Sequence, residues 1–258
     1  MRSDSAWQSW ADADPYFGVL SDERFRSGRI DEHRGEFFAS GERDVRRFIE
    51  RFEQSFGRLP SGGALDFGCG VGRLSLPLAS RFDRVLGLDV APAMLVEARA
   101  NAERFQCPNA AFANADDALS NAPGQFAFVC SYIVLQHIPV PRGLAFIERL
   151  IAKVQPGGGC MLHVSLRRAP SMVRRSVYWA RLHVPGAHAA LNLALGRPMR
   201  EPMMQMNEYP LPAVLAQFHR AGMHDVLVGL EDHQGTLTAS LTARRPGPRI
   251  GGKLIERE

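Results

Sequence analysis

Cysteine is scarce: the 258 residues hold four, at 69, 107, 130 and 160, and no two form a CxxC pair. That excludes a disulfide framework and a thiolate zinc site, and it reads as reduced thiols in a cytoplasmic protein. Long apolar runs are missing too. The best candidate, residues 184–195, is too short to cross a bilayer and is interrupted by His188. The opening MRSDSAWQSWADADP contains no apolar block of the secretory type. Nor does charge of one sign dominate. The 31 Lys and Arg against 27 Asp and Glu leave a net +4 with arginine scattered, which argues against a nucleic-acid face. No HxxxH pair or dense carboxylate set offers a metal its ligands, and no internal repeat is present. A soluble, metal-free globular protein is expected, at 45% hydrophobic and 22% charged residues.

What is present has a rhythm. Val45, Phe48, Ile49, Phe52 and Phe56 recur at helical spacing and predict a helix over 41–56, broken by Gly57 and Pro60. From Ala64 short apolar runs at 64–67, 84–88, 109–113, 126–132 and 158–165 alternate with helical patterns at 73–81, 92–105 and 141–154. Such alternation predicts βαβ units and a parallel sheet covered by helices on both faces. Pro156-Gly157-Gly158-Gly159 reads as a sharp turn into the fifth strand, and 210–221 as a further helix. The runs 224–231 and 236–243 stand too close for a parallel crossover, so they predict an antiparallel hairpin. The expected organisation is a helical cap over 1–57, a main domain over 58–245 with an irregular insertion or lid at 166–208, and a flexible tail over 246–258.

The stretch Asp66-Phe67-Gly68-Cys69-Gly70-Val71-Gly72 is a buried strand, a glycine turn and a helix start. Glycines let the backbone turn tightly and admit a ligand where a side chain would collide, and the helix start behind them favours an anionic group. A dinucleotide loop of GxGxxG form would place its third glycine at position 73, which is arginine. Seventeen residues beyond Gly72 the next strand ends in Asp89, an acceptor-only group suited to a pair of ribose hydroxyls.

In these residues the chain resembles the class I S-adenosylmethionine-dependent methyltransferases, whose first motif has the form D-x-G-x-G-x-G. The resemblance covers about residues 58–165 by motif and 209–243 by pattern. It implies a seven-stranded Rossmann-like α/β sheet with an antiparallel terminal hairpin, and S-adenosyl-L-methionine as cofactor with S-adenosyl-L-homocysteine (SAH) as product. It implies that Asp66, Gly68, Cys69, Gly70 and Gly72 form the cofactor loop. Asp89-Val90-Ala91-Pro92-Ala93-Met94 resembles the second motif, with Asp89 on the ribose, Val90 and Met94 beside the adenine, and Pro92 starting a helix. Ala91 stands where the family often has Ser or Thr, which forgoes a cap of ~1 kcal/mol. Asp116, or else Asp117, takes the place of the acid that meets the adenine amino group; Asp116 as a plain helix cap is the other reading. Phe126 to Ser131 resembles the family's FDLV-x-S strand, with Ala127 replacing the aspartate.

The sulfonium methyl is already activated, so such a protein must position the acceptor, exclude water and, for a hydroxyl acceptor, take a proton. His137, beyond the fourth strand, is the candidate base; an imidazole of ordinary pKa, about 6.5, can accept a proton at neutral pH. Ser131 and Gln136 are candidates for the cofactor's methionine end. His163 reads as a core histidine, while His183 and His188 are rival bases. Tyr16, Phe37, Phe38 and Tyr209 either line the acceptor pocket or belong to the core. The D/N/S-P-P-Y/F signature of DNA amino-methylating relatives is missing, since residues 131–134 read Ser-Tyr-Ile-Val. The acceptor expected is therefore a small molecule or saccharide, through a hydroxyl. Nitrogen or carbon acceptors, or a cofactor-binding regulator without turnover, are the alternatives.

Overall fold

The computed structural model describes residues 3–168, 172–196, 199, 204–233, 235–247, 249–250 and 253–254. In chain order the elements are α1 (Ser3–Ala13), α2 (Pro15–Val19), α3 (Ile30–Phe56), β1 (Gly63–Phe67), α4 (Ser75–Ala79), β2 (Arg84–Asp89), α5 (Pro92–Arg104) and β3 (Ala110–Asn114). They continue as β4 (Phe126–Ser131), α6 (Val140–Ala152), β5 (Val154–Arg168), α7 (Met172–His183), α8 (Ala187–Ala194), α9 (Leu211–Arg220), β6 (Val226–His233) and β7 (Thr236–Arg244).

These strands form one sheet in the order β3-β2-β1-β4-β5-β7-β6. β7 runs antiparallel to both its neighbours, and the remaining pairs are parallel. The Rossmann-like sheet with a reversed terminal hairpin is thus as expected. β1 and β4 are buried along their whole length, which is why they read as unbroken apolar runs rather than as alternating ones. One face packs Phe146, Ile147 and Leu150 of α6 with Val214 and Phe218 of α9. The other packs Val45, Phe48 and Ile49 of α3 with Phe128 and Met161 of the sheet. From β1 the chain winds outward through β2 and β3, then returns to set β4 on the other side of β1. This switch of direction opens a crevice at the carboxyl ends of β1 and β4, the usual ligand position in open α/β sheets.

Several boundaries differ from the sequence reading. α3 begins at Ile30 rather than near residue 41. Gly35 and five charged or histidine residues in its first two turns hide the periodicity there, and Phe37 and Phe38 pack on Tyr16 and Phe25 of the cap. Pro156 to Gly159 lies inside β5 instead of forming a turn. Gly157 donates to the Arg245 carbonyl and Arg245 donates to Gly158, so the chain after β7 pairs with this glycine run and extends the strand. The expected irregular insertion contains two helices, α7 and α8. In the expected flexible tail Arg249–Ile250 pairs with Lys253–Leu254, and much of that stretch lies outside the described residues. Among the described residues no helix is long and apolar enough to cross a membrane.

α3 reaches the glycine loop at Gly41, where a Cβ would overlap the backbone carbonyl oxygen of Arg73. A backbone atom cannot swing away as a side chain can. Gly41→Ala is therefore expected to cost ~1–3 kcal/mol by overpacking, despite the better helix propensity of alanine. A lower urea midpoint would register the loss; an unchanged one would mean that α3 does not press on the loop.

Candidate active site

The loop after β1 holds Gly68, Gly70 and Gly72 at φ of 77, 53 and 89°, a left-handed region that other residues adopt only with strain. The loop is tied to β2 from both ends. Gly68 and Cys69 donate to the Leu88 carbonyl. Gly70 N–H donates to Asp89 Oδ2 at 2.9 Å, and Ala91 N–H donates to Asp89 Oδ1 at 2.9 Å. The Asp89 carboxylate thus ties the glycine loop to the residue that precedes α5, whose own N-cap position, Ala91, has no side-chain cap. Burial raises its pKa, opposed by these backbone N–H groups.

A narrow cleft is lined by Gly68, Gly70, Asp89, Val90, Met94 and His137 among others. These six are the predicted site residues that the fold brings together there. The other predictions take different places. Asp66 is buried beneath the loop, where its carboxylate accepts from Ser75 Oγ at 2.6 Å, and burial raises its pKa to about 6. Desolvation makes a carboxylate a good brace and removes it from ligand reach. The Cys69 side chain is buried under β2, close to Gly87. Gly72 N–H closes the loop turn onto Cys69 O and does not line the cleft. Asp116 accepts from Ser120 N–H at 2.8 Å across a turn, not at a helix start, and its backbone bonds lower its pKa. Asp117 pairs with Arg142 at 2.6 Å. Ser131 is buried with its hydroxyl unpartnered. The Tyr16 hydroxyl lies within hydrogen-bond distance of Asn101 and Glu97, while Phe37 and Phe38 are core. Tyr209 is buried, and its hydroxyl lies 2.8 Å from both the Leu135 and the Ile138 carbonyl oxygens, which share its one proton. None of the four aromatic candidates lines either cavity. His163 is a core histidine with Nδ1 unpartnered. His183 is exposed and stacked on Trp179. The His188 side chain lies outside the described residues.

His137 sits in the 3₁₀ turn Leu135–His137, where the cleft meets a second chamber of about 740 Å³ whose lining includes Gln136, His137, Met204 and Met206. Its Nδ1 lies 2.7 Å from the Gln205 carbonyl oxygen and its Nε2 lies 3.2 Å from Gln136 Nε2. A carbonyl can only accept, so Nδ1 carries the proton and Nε2 keeps its lone pair. Gln136 in turn offers its N–H to that lone pair and accepts from Ser165 Oγ at 3.1 Å. Burial lowers the His137 pKa to about 4, so at neutral pH the ring is an uncharged acceptor. Gln136, expected at the cofactor, lines the chamber and braces the histidine instead.

The N-terminal helices contribute what sequence reasoning missed. Asp4, Trp7, Gly18 and Val19 line the cleft, and Trp7 stands edge-on to His137 with ring centroids 4.8 Å apart. No motif marks these residues, because their role comes from docking onto loops far along the chain. Arg142 at the start of α6 joins α1 to the far rim through Asp4 and Asp117, both at 2.6 Å. The volume left open is about 80 Å³, well below the roughly 300 Å³ at which small-molecule sites begin. α1 forms one wall of this volume through Asp4 and Trp7. Partly exposed ion pairs of this kind are worth up to ~1 kcal/mol. Arg142→Ala is accordingly expected to speed SAH dissociation about fivefold in stopped-flow measurements, and an unchanged off-rate would show that α1 does not gate the cleft.

Residues 64–158 match the family described as methyltransferase domain. The chain is 33% identical over 135 residues to a ubiquinone biosynthesis O-methyltransferase of Xanthomonas campestris pv. campestris, covering 50% of this chain and 55% of that protein. It is 30% identical over 182 residues to the protein of that name from Xylella fastidiosa, covering 69% and 66%. This chain belongs to the class I S-adenosylmethionine-dependent methyltransferases. The fold agrees: magnesium protoporphyrin IX methyltransferase of Synechocystis, solved with bound SAH, superposes with a TM-score of 0.66 at 18% identity, over 94% of this chain and 99% of that one. The chain spans just over half the length of the Xanthomonas relative.

The residues of the cleft fit the family's cofactor. Each Asp89 oxygen accepts one backbone N–H and retains a lone pair for a ribose hydroxyl. Val90, Met94 and Ala115 supply an apolar wall for a flat base.

Proposed function

We propose that this methyltransferase acts on a hydroxyl oxygen of a small-molecule or saccharide acceptor. The observation that carries the reading is His137, neutral and buried where the loop cleft meets the larger chamber. The name of the ubiquinone biosynthesis O-methyltransferases supports oxygen as the receiving atom.

When bound, the cofactor supplies a methyl group already activated on a sulfonium. Asp89, Gly68 and Gly70 hold it, with Val90 and Met94 against the base. The acceptor comes from the chamber side, where Met204 and Met206 line the wall. Trp7 and α1 close over the cleft and exclude water. His137 Nε2 takes the hydroxyl proton, releasing Gln136 to the Ser165 side, while the Gln205 carbonyl keeps the ring in the required tautomer. Incubation with labelled cofactor and a library of phenols, catechols and sugars tests the proposal. Label on an O-methyl group with stoichiometric SAH supports it; label only on nitrogen or carbon, or SAH binding with no transfer to any acceptor class, overturns it.

A further inference from the structure

α7 and α8 add almost nothing to the core. They pack chiefly on each other, with Arg181 Nη2 donating to Asn192 Oδ1 at 2.7 Å. None of their described side chains belongs to a hydrophobic cluster, and among the described side chains of residues 172–196 Asn192 alone is buried. The connection between the two helices, Val184, Pro185 and Gly186, is exposed throughout. What this hairpin shows to solvent is nevertheless apolar. Val177, Trp179, Val184, Leu193, Leu195 and Met199 make up six of the ten exposed large hydrophobics among the described residues, with Trp179 58% and Leu193 64% exposed. Singly scattered apolar side chains are ordinary on a surface, but a cluster of them marks a surface that meets something.

Charge selects the partner. No Asp or Glu occurs between Glu148 and Glu201, an interval that holds Arg167, Arg174, Arg175, Arg197 and Arg200 besides Arg168 and Arg181, which have interactions of their own. A second copy of the chain would set one such segment against another, and like charge opposes that pairing. Val177 and Trp179, two residues apart, face opposite sides of α7. A protein groove that takes one stripe of a helix would leave one of them in water. A nucleic acid would satisfy arginines but would leave the exposed Trp, Leu and Val without apolar contact. Tryptophan and aliphatic side chains flanked by arginine suit the boundary between headgroups and acyl chains of an anionic leaflet.

We propose that the α7–α8 hairpin docks the protein on an anionic phospholipid bilayer, lying in the headgroup region without spanning it. Trp179, Val184 and Leu193 enter the apolar edge of the leaflet, and the acid-free segment around them faces the lipid phosphates. Docking of this kind is reversible, since it depends on a few side chains and on a screened charge attraction.

The test is sedimentation of the full chain with vesicles of phosphatidylcholine alone or of phosphatidylcholine and phosphatidylglycerol in equal parts. Binding to the anionic vesicles is expected to be ~10-fold tighter than to the neutral ones and to weaken as salt is raised. Trp179 is the one exposed tryptophan of the three, so emission is expected to move to shorter wavelength on binding. Trp179→Ser and Leu193→Ser should each weaken binding at least ~5-fold by removing apolar surface that enters the leaflet. Melting temperature and SAH affinity should hold in both variants, and two separate positions keep the test decisive if one variant misfolds. No binding at millimolar lipid, equal binding to neutral and anionic vesicles, or binding that survives both substitutions would each overturn the proposal. So would a dimer, seen by sedimentation velocity without lipid and dispersed by Trp179→Ser, because the surface would then belong to a second copy.

Discussion

Asp89→Ala is expected to weaken SAH binding about a hundredfold, or ~2.7 kcal/mol. The side chain stands at two points of the site at once. Toward the ligand it is an acceptor-only group facing ribose hydroxyls, and each hydrogen bond to a charged partner is worth ~1.5–3 kcal/mol. Toward the protein it accepts from Gly70 and Ala91, so its removal leaves two backbone N–H groups without partners and frees the glycine loop from α5. Asp89→Asn separates these contributions. It keeps one acceptor oxygen and the shape of the side chain, so it should retain part of the bracing and fall between wild type and alanine. Calorimetry checks both variants. Alanine affinity within twofold of wild type would remove Asp89 from the ribose position.

His137→Asn is expected to reduce methyl transfer at least ~100-fold, the scale of general base catalysis, while SAH affinity stays within about threefold, or ~0.7 kcal/mol. Asparagine can hydrogen-bond but cannot take a proton. The pH profile carries the sharper information. From an ordinary imidazole the rate would fall near pH 6.5; burial in this fold moves the ionisation to about 4, so the wild-type rate should stay level through neutrality and decline only toward that value. A rate that halves near 6.5 would mean that the ring is more solvated than its packing on Trp7 and Gln136 implies. A variant with most of its rate intact would end the base assignment and leave positioning as the source of catalysis. The same burial links to stability. The folded state refuses a proton that the unfolded chain accepts, so this contribution is complete above about pH 6.5 and is lost as pH falls toward 4. His163, lowered to about 3 by burial, acts in the same direction, whereas Asp66, raised to about 6, acts in the opposite one over part of that range.

Much of the architecture was legible in the residues themselves. Apolar runs bounded by glycine and proline marked the strands, a helical period marked α5 and α6, and the short link at 232–235 required a reversed hairpin. The glycine spacing and the strand-end Asp89 pointed to the cleft between β1 and β2 before any fold was known, because both act through backbone geometry within a single βαβ unit. That local origin is also why Gly68, Gly70, Val90 and Met94, expected together from the sequence, line one cleft in the fold.

The reading was weaker wherever distant segments decide. Asp66 and Asp116 stand in motif positions, yet one is sealed under the loop with Ser75 and the other caps a turn. Which way a carboxylate faces depends on the helices that cover it, and no local pattern encodes that. Trp7 and Asp4 reach the site from more than a hundred residues upstream of His137 and Arg142. The tautomer of His137 requires the Gln205 carbonyl, brought back by the chain that follows α8, while its lowered pKa comes from burial between segments, which that carbonyl partly opposes. The sequence by itself determined the family, the sheet and the cofactor loop, since those follow from local backbone preferences and hydrophobic period. Tertiary structure alone decided which polar groups are desolvated, which are paired, and which apolar side chains of α7 and α8 stay outside the core, since burial and hydrogen bonding depend on contacts between segments far apart in the chain.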